Sequence, residues 1–89
     1  MKIKNGFLLR KVSDVYVVVA VGDVSKDFNG IITLNSTGAF LWEKLAEGCE
    51  GKESLVNALL EEYDVEKAVA EKDVDAFIER IKSIEALED

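Results

Sequence analysis

The repeat of apolar residues changes once along this chain, near Asn35, and that change limits the architectures open to it more than any other feature. Before it, Phe7-Leu8-Leu9-Arg10-Lys11-Val12 and Val15-Tyr16-Val17-Val18-Val19-Ala20-Val21 are rich in apolar and β-branched residues, with Ser13-Asp14 as a turn-sized gap. Such runs predict a β-hairpin, because branched side chains pack well on a pleated surface. The second run is apolar at odd and even positions alike, which predicts that both faces of its strand are covered, by helices or by another chain. A polar loop over residues 22–30, with Asp27-Phe28-Asn29-Gly30 as its closing turn, leads to a third short strand, Ile31-Ile32-Thr33-Leu34.

After Asn35 the apolar residues recur at helical spacing. Asn35 or Ser36 can accept a hydrogen bond from a free amide of a first turn, so a helix is expected over 36–47, with Phe40, Leu41 and Leu45 aligned and Gly48 ending it. Trp42, a lone aromatic among them, reads as core. A second helix over 52–63 brings Leu55, Leu59, Leu60 and Tyr63 to one face. The third, over 67–84, carries Val69, Val74, Phe77, Ile78, Ile81 and Ile84 as its apolar stripe, with Glu71, Asp75, Glu79 and Lys82 outside. Strands over 7–12, 15–21 and 31–34 followed by three helices predict one α+β domain over 1–89, a three-stranded antiparallel sheet against a helical cluster. The second helix, a short link and the longer third helix also suit a winged helix-turn-helix, with the sheet as the wing.

Chemistry is constrained by what is missing. The chain has 89 residues, no His, no Pro and one Cys. Without His there is no Ser-His-Asp triad, no Cys-His dyad and no imidazole base. One Cys forms neither an internal disulfide nor a thiolate cluster, which suits a reducing cytosol. Cys49 lies between Glu47 and Glu50, whose charges oppose a reactive thiolate, so it reads as an incidental loop residue. Glu61, Glu62 and Asp64 lack the spacing and turn glycine of a calcium loop and read as a solvated helix end. No catalytic residue, cofactor or metal is expected. No apolar stretch is long enough to span a membrane, and the N-terminus lacks an export signal, so a cytoplasmic protein is expected.

Recognition is then the more credible task. Net charge is −7, divided unevenly: residues 1–34 carry five bases and three acids, residues 35–64 two and seven, and residues 65–89 four and eight. An acidic chain without a basic cluster is a poor nucleic-acid binder, since that affinity comes mostly from neutralised phosphates. The third strand is short and follows a polar loop. If it borders the sheet, its unpaired backbone groups can pair with an incoming extended peptide, or the last helix can simply cover them.

The segment Ile31-Ile32-Thr33-Leu34-Asn35-Ser36-Thr37-Gly38-Ala39-Phe40-Leu41-Trp42 resembles the PqqD-like family: an apolar strand, then Leu-Asn-x-Thr-Gly-Ala, then an apolar pair ending in Trp42. The resemblance continues through Leu55-Val56-Asn57-Ala58-Leu59-Leu60-Glu61-Glu62-Tyr63-Asp64-Val65 and Ala70-Glu71-Lys72-Asp73-Val74-Asp75-Ala76-Phe77-Ile78. It implies a winged helix-turn-helix that binds peptide, holding the leader of a ribosomally made precursor for a modifying enzyme, often a radical S-adenosylmethionine protein. In the family the leader adds beside the third strand, in the groove between it and the third helix. That places Ile31, Ile32, Thr33, Leu34 and Asn35 on one wall and Val69, Lys72, Asp73, Ala76, Phe77 and Arg80 on the other, with Lys72 and Arg80 facing leader carboxylates. The Leu-Asn-x-Thr-Gly form resembles stand-alone relatives more than the member that serves quinone cofactor synthesis.

Two other readings compete. One is a winged-helix DNA-binding regulator, set against the acids of the third helix. The other is a structural homodimer whose sheet edges pair with each other.

Overall fold

Val12 and Val15 face each other across the two-residue turn Ser13-Asp14, and Ser13 adopts a left-handed φ of 57°. That turn joins β2 (Phe7–Val12) to β3 (Val15–Ala20) in antiparallel register, with Leu9 opposite Val18. β4 (Ile31–Leu34) pairs with the other side of β3, Ile32 opposite Val18, and the sheet order is β2-β3-β4. The computed structural model describes residues 1–21 and 31–88, so the loop and Asp27–Gly30 turn expected over 22–30 lie outside the described residues.

Three helices follow the sheet: α1 (Ser36–Glu47), α2 (Lys52–Glu62) and α3 (Lys67–Ser83). Of the two candidate caps, Asn35 is the one used: its side-chain oxygen accepts the Gly38 amide at 2.8 Å. α1 stops where Gly48 turns to a φ of 93°, and Gly51 starts α2 without a side-chain cap. Glu66 begins α3, also without one. Lys52, the first residue of α2, pairs with Asp75 on α3. That carboxylate, as hydrogen-bond partner, holds the Lys52 ammonium above its ordinary pKa.

The core lies between the helices and one face of the sheet. Phe7, Val18 and Leu34 from the strands meet Leu41, Trp42, Leu45, Leu55, Val56 and Leu59 from α1 and α2, and Ala70, Val74, Phe77, Ile78 and Ile81 from α3. Trp42 is buried, and Phe40 packs its ring edge-on against Tyr63 at 5.7 Å. The architecture is thus α+β, a three-stranded antiparallel sheet followed by three helices, and it accommodates the winged-helix description.

Two expectations need correction. Of the two covers expected for the second face of β3, helices are not the one present: the helices lie on one face of the sheet. Tyr16, Val18 and Ala20 pack into the helical core, whereas Leu8, Val12 and Val15 on the opposite face are about half exposed, and Val17, although buried, lies outside the core cluster. Val69 is not a core residue either, being 45% exposed. The buried stripe of α3 runs through Ala70, Val74, Phe77, Ile78 and Ile81, and Val69 sits about 100° around the helix from Ala70.

The ends of the described chain add a feature absent from the sequence reading. β1 (Lys2–Ile3) pairs with β5 (Leu87–Glu88) as a separate two-stranded sheet. α3 is turned toward it by a Schellman motif in which the Ala86 amide donates to the Ile81 carbonyl, the Glu85 amide donates to the Lys82 carbonyl, and Glu85 takes a left-handed φ of 57°. The Cys49 amide donates to the Met1 carbonyl at 3.0 Å, and the Met1 amine donates back to the Cys49 carbonyl. Cys49 therefore sits half-buried in a link pinned to the first strand.

Candidate functional site

β4 borders the sheet, and among the described residues no strand pairs with its outer side. At its C-terminal end opens a cavity of about 270 Å³ lined by three elements. Leu34 and Asn35 contribute from the strand and its exit, Thr37, Gly38 and Leu41 from α1, and Asp73, Ala76, Phe77 and Arg80 from α3. Leu34, Leu41 and Phe77 are buried and make an apolar floor, while Asn35, Asp73, Ala76 and Arg80 are exposed around it.

The local sequence explains this shape. Residues 73, 76, 77 and 80 follow the i, i+3, i+4, i+7 spacing that places side chains on one helix face. That face is rotated slightly from the core stripe, so Phe77 serves both. On the other wall, the Asn35 cap sets where the strand ends and α1 begins. Gly38, in the first turn of α1, permits the close approach: a Cβ there would stand 3.2 Å from the Leu34 Cβ and 3.3 Å from the Asn35 side-chain oxygen.

The structure brings together six of the eleven residues singled out in the sequence: Leu34, Asn35, Asp73, Ala76, Phe77 and Arg80. Ile31, Ile32 and Thr33 lie in β4, with Ile32 and Thr33 outside the cavity lining. Val69 lies on the same helix face as Asp73 and Ala76, one turn before the cavity begins, and Lys72 lies to one side of that face. Thr37, Gly38 and Leu41 join the site without a sequence expectation for them. The signal for Gly38 was present, because a glycine in a helix costs about 1 kcal/mol relative to Ala and its presence calls for a packing reason.

Among the described residues no three His, Cys, Asp or Glu side chains converge to hold a metal ion. Glu61, Glu62 and Asp64 are exposed around the end of α2. Also among the described residues, no helix is long and apolar enough to cross a membrane. What the site offers is a backbone edge, open among the described residues, leading to a small cleft with an apolar floor and with one carboxylate and one guanidinium at its rim.

The sequence matches the family of coenzyme PQQ synthesis protein D (PqqD) over residues 16–86, a span that includes β3 from its second residue, β4 and all three helices. The chain belongs to the PqqD family. No curated protein matches it. Among solved structures, TbiB1 in complex with the TbiA(beta) leader peptide superposes with a TM-score of 0.77 at 26% identity, covering 99% of this chain and 95% of that one. Lasso peptide synthetase B1 complexed with the leader peptide follows at a TM-score of 0.70 and 21% identity, covering 92% and 89%. Within the PqqD family fold, the cleft beside β4 is thus assembled from the Leu34-Asn35-Ser36-Thr37-Gly38 segment and the exposed face of α3.

Proposed function

We propose that this chain is a non-catalytic peptide-binding module that takes the leader of a ribosomally made precursor as an added strand beside β4 and presents it to a modifying enzyme. The observation that carries this reading is the junction of a sheet edge, unpaired among the described residues, with an apolar cleft at one end of the same strand. Backbone pairing supplies affinity and register without regard to sequence, and the cleft selects a side chain. Two solved structures of similar fold, TbiB1 and lasso peptide synthetase B1, are complexes with leader peptides.

In this reading Ile31, Ile32 and Thr33 contribute backbone groups, Leu34 and Phe77 line the pocket for an apolar leader side chain, and Val69 extends the contact beyond the cavity. Lys72 sits beside the groove and steers leader carboxylates. The enzyme served is of the radical S-adenosylmethionine class that the family resemblance implies, and the module acts in the cytoplasm. Peptide is the proposed ligand rather than nucleic acid, since α3 carries as many acids as bases and cannot offer a basic face to phosphate.

Titration of isotope-labelled protein with the leader of a precursor encoded beside its gene tests the proposal. Amide shifts should concentrate on Ile32 to Asn35 and on residues 73–80 of α3. Shifts centred on β2, or spread evenly over the chain, would sink it.

A further inference from the structure

The cleft has a polarity. Asp73 lines one end of the α3 face and Arg80 the other, with Ala76 and Phe77 between them. The two charges are seven positions apart, about 10.5 Å along a helix axis, which is too far for the i, i+3 or i, i+4 contact through which helix charges neutralise each other. Neither is in an ion pair among the described residues, although Asp75, two positions from Asp73, is taken by Lys52. A base in the last turn of a helix is accounted for by the helix dipole, and Arg80 lies there. Asp73, exposed at the other end of the cleft, is hydrated in the free protein and open to a cationic group of a bound peptide.

An extended peptide places every second side chain on one face and advances about 3.3 Å per residue. Three same-face side chains at positions i, i+2 and i+4 therefore span about 13 Å, which matches the Asp73 to Arg80 separation once the longer Arg80 side chain leans along the groove. The cavity of about 270 Å³ is at the lower edge of the range of about 300 to 1,000 Å³ typical of ligand sites and has room for an inserted apolar side chain.

Resting on the reading of this groove as the leader site, we infer that the leader is selected by charge order: a basic residue over Asp73, an apolar residue two positions on in the cleft of Leu34, Leu41 and Phe77, and an acidic residue two further on over Arg80. The opposed charges fix the direction in which the added strand lies, which backbone pairing alone leaves open. Exposed ion pairs are weak, so each contact changes affinity about two- to fivefold, and reversing both sets attraction against repulsion for a combined change of about tenfold or more.

A displayed library of nine-residue peptides, randomised throughout, is panned against the whole protein and against the Asp73→Lys/Arg80→Glu double variant, with matched melting curves confirming that both are folded. The wild type should enrich the spacing base-x-apolar-x-acid, and the double variant the same spacing with the charges exchanged. Amide shifts of Ile32 to Asn35 show whether the enriched peptides sit beside β4. If they do but both proteins enrich the same charge order, or none, charge selection is overturned while the leader site stands. If nothing enriches, or the peptides sit elsewhere, the leader site itself is wrong and the charge rule goes with it.

Discussion

β2 and β4 are the two borders of one sheet, yet they differ in length, charge and surroundings. β2 is six residues long and carries Arg10 and Lys11, and the sheet face opposite the helices leaves its Leu8 and Val12 exposed. β4 is four residues long, carries no charge, and runs directly into the capped start of α1 with α3 across the cleft. By count of backbone groups β2 is the better template. Its charges argue otherwise, because like charges on an edge oppose pairing with a second copy, a common way of blunting an edge strand. The lesson is that an open edge supplies register, while the volume and charge beside it determine whether a peptide stays.

That contrast can be broken most forcefully by filling the cleft. Ala76 is exposed and lines it, so Ala76→Trp should abolish leader binding, a loss of about 100-fold or more, while leaving stability within about 0.5 kcal/mol, as is usual for surface substitutions. The matching change on the other border, Leu8→Trp, should leave binding as it was. Isothermal titration and thermal melts of the two variants provide the check.

Proline separates the backbone contribution from the side chains. Successive amides of an edge strand alternate between the paired neighbour and the open side, so of Ile32→Pro and Thr33→Pro one should unfold the sheet and the other mainly weaken peptide binding, by about tenfold for a lost backbone bond and the local distortion. On β2, Leu9→Pro and Arg10→Pro should split in the same way for stability, but the folded one should bind the leader normally. Equal loss of binding on both borders would remove the distinction drawn here.

The smallest effect belongs to the junction. Asn35→Ala removes the cap of α1 at a cost of about 1 kcal/mol, which lowers the melting temperature by about 4 to 8 °C in a domain of this size. Because Asn35 also lines the cleft, leader affinity should fall a few-fold, measurable by anisotropy with a labelled peptide.

These tests also mark how far the sequence could be read. The change of period at Asn35, the cap and the buried Trp42 follow from local chemistry and were legible. So was most of the α3 wall, because Asp73, Ala76, Phe77 and Arg80 share a face by spacing alone. Val69 reads as core in the sequence because an apolar residue one position from Ala70 is indistinguishable by type, and only packing shows that the smaller Ala70 is the one buried. Gly38 and Leu41 escaped because a cleft depends on how closely two elements approach, which no single segment encodes. The β1–β5 pairing was invisible for a similar reason: two-residue strands have no period, and their partners lie at opposite ends of the chain.

Hydrogen exchange on the two borders tests the central claim most directly. With leader bound, at least one amide among Ile32, Thr33 and Leu34 that exchanges freely in the unbound protein should become strongly protected, while the amides from Leu8 to Val12 keep their unbound rates. Protection appearing on β2 and not on β4, or on neither edge despite saturating peptide, would contradict strand addition at β4.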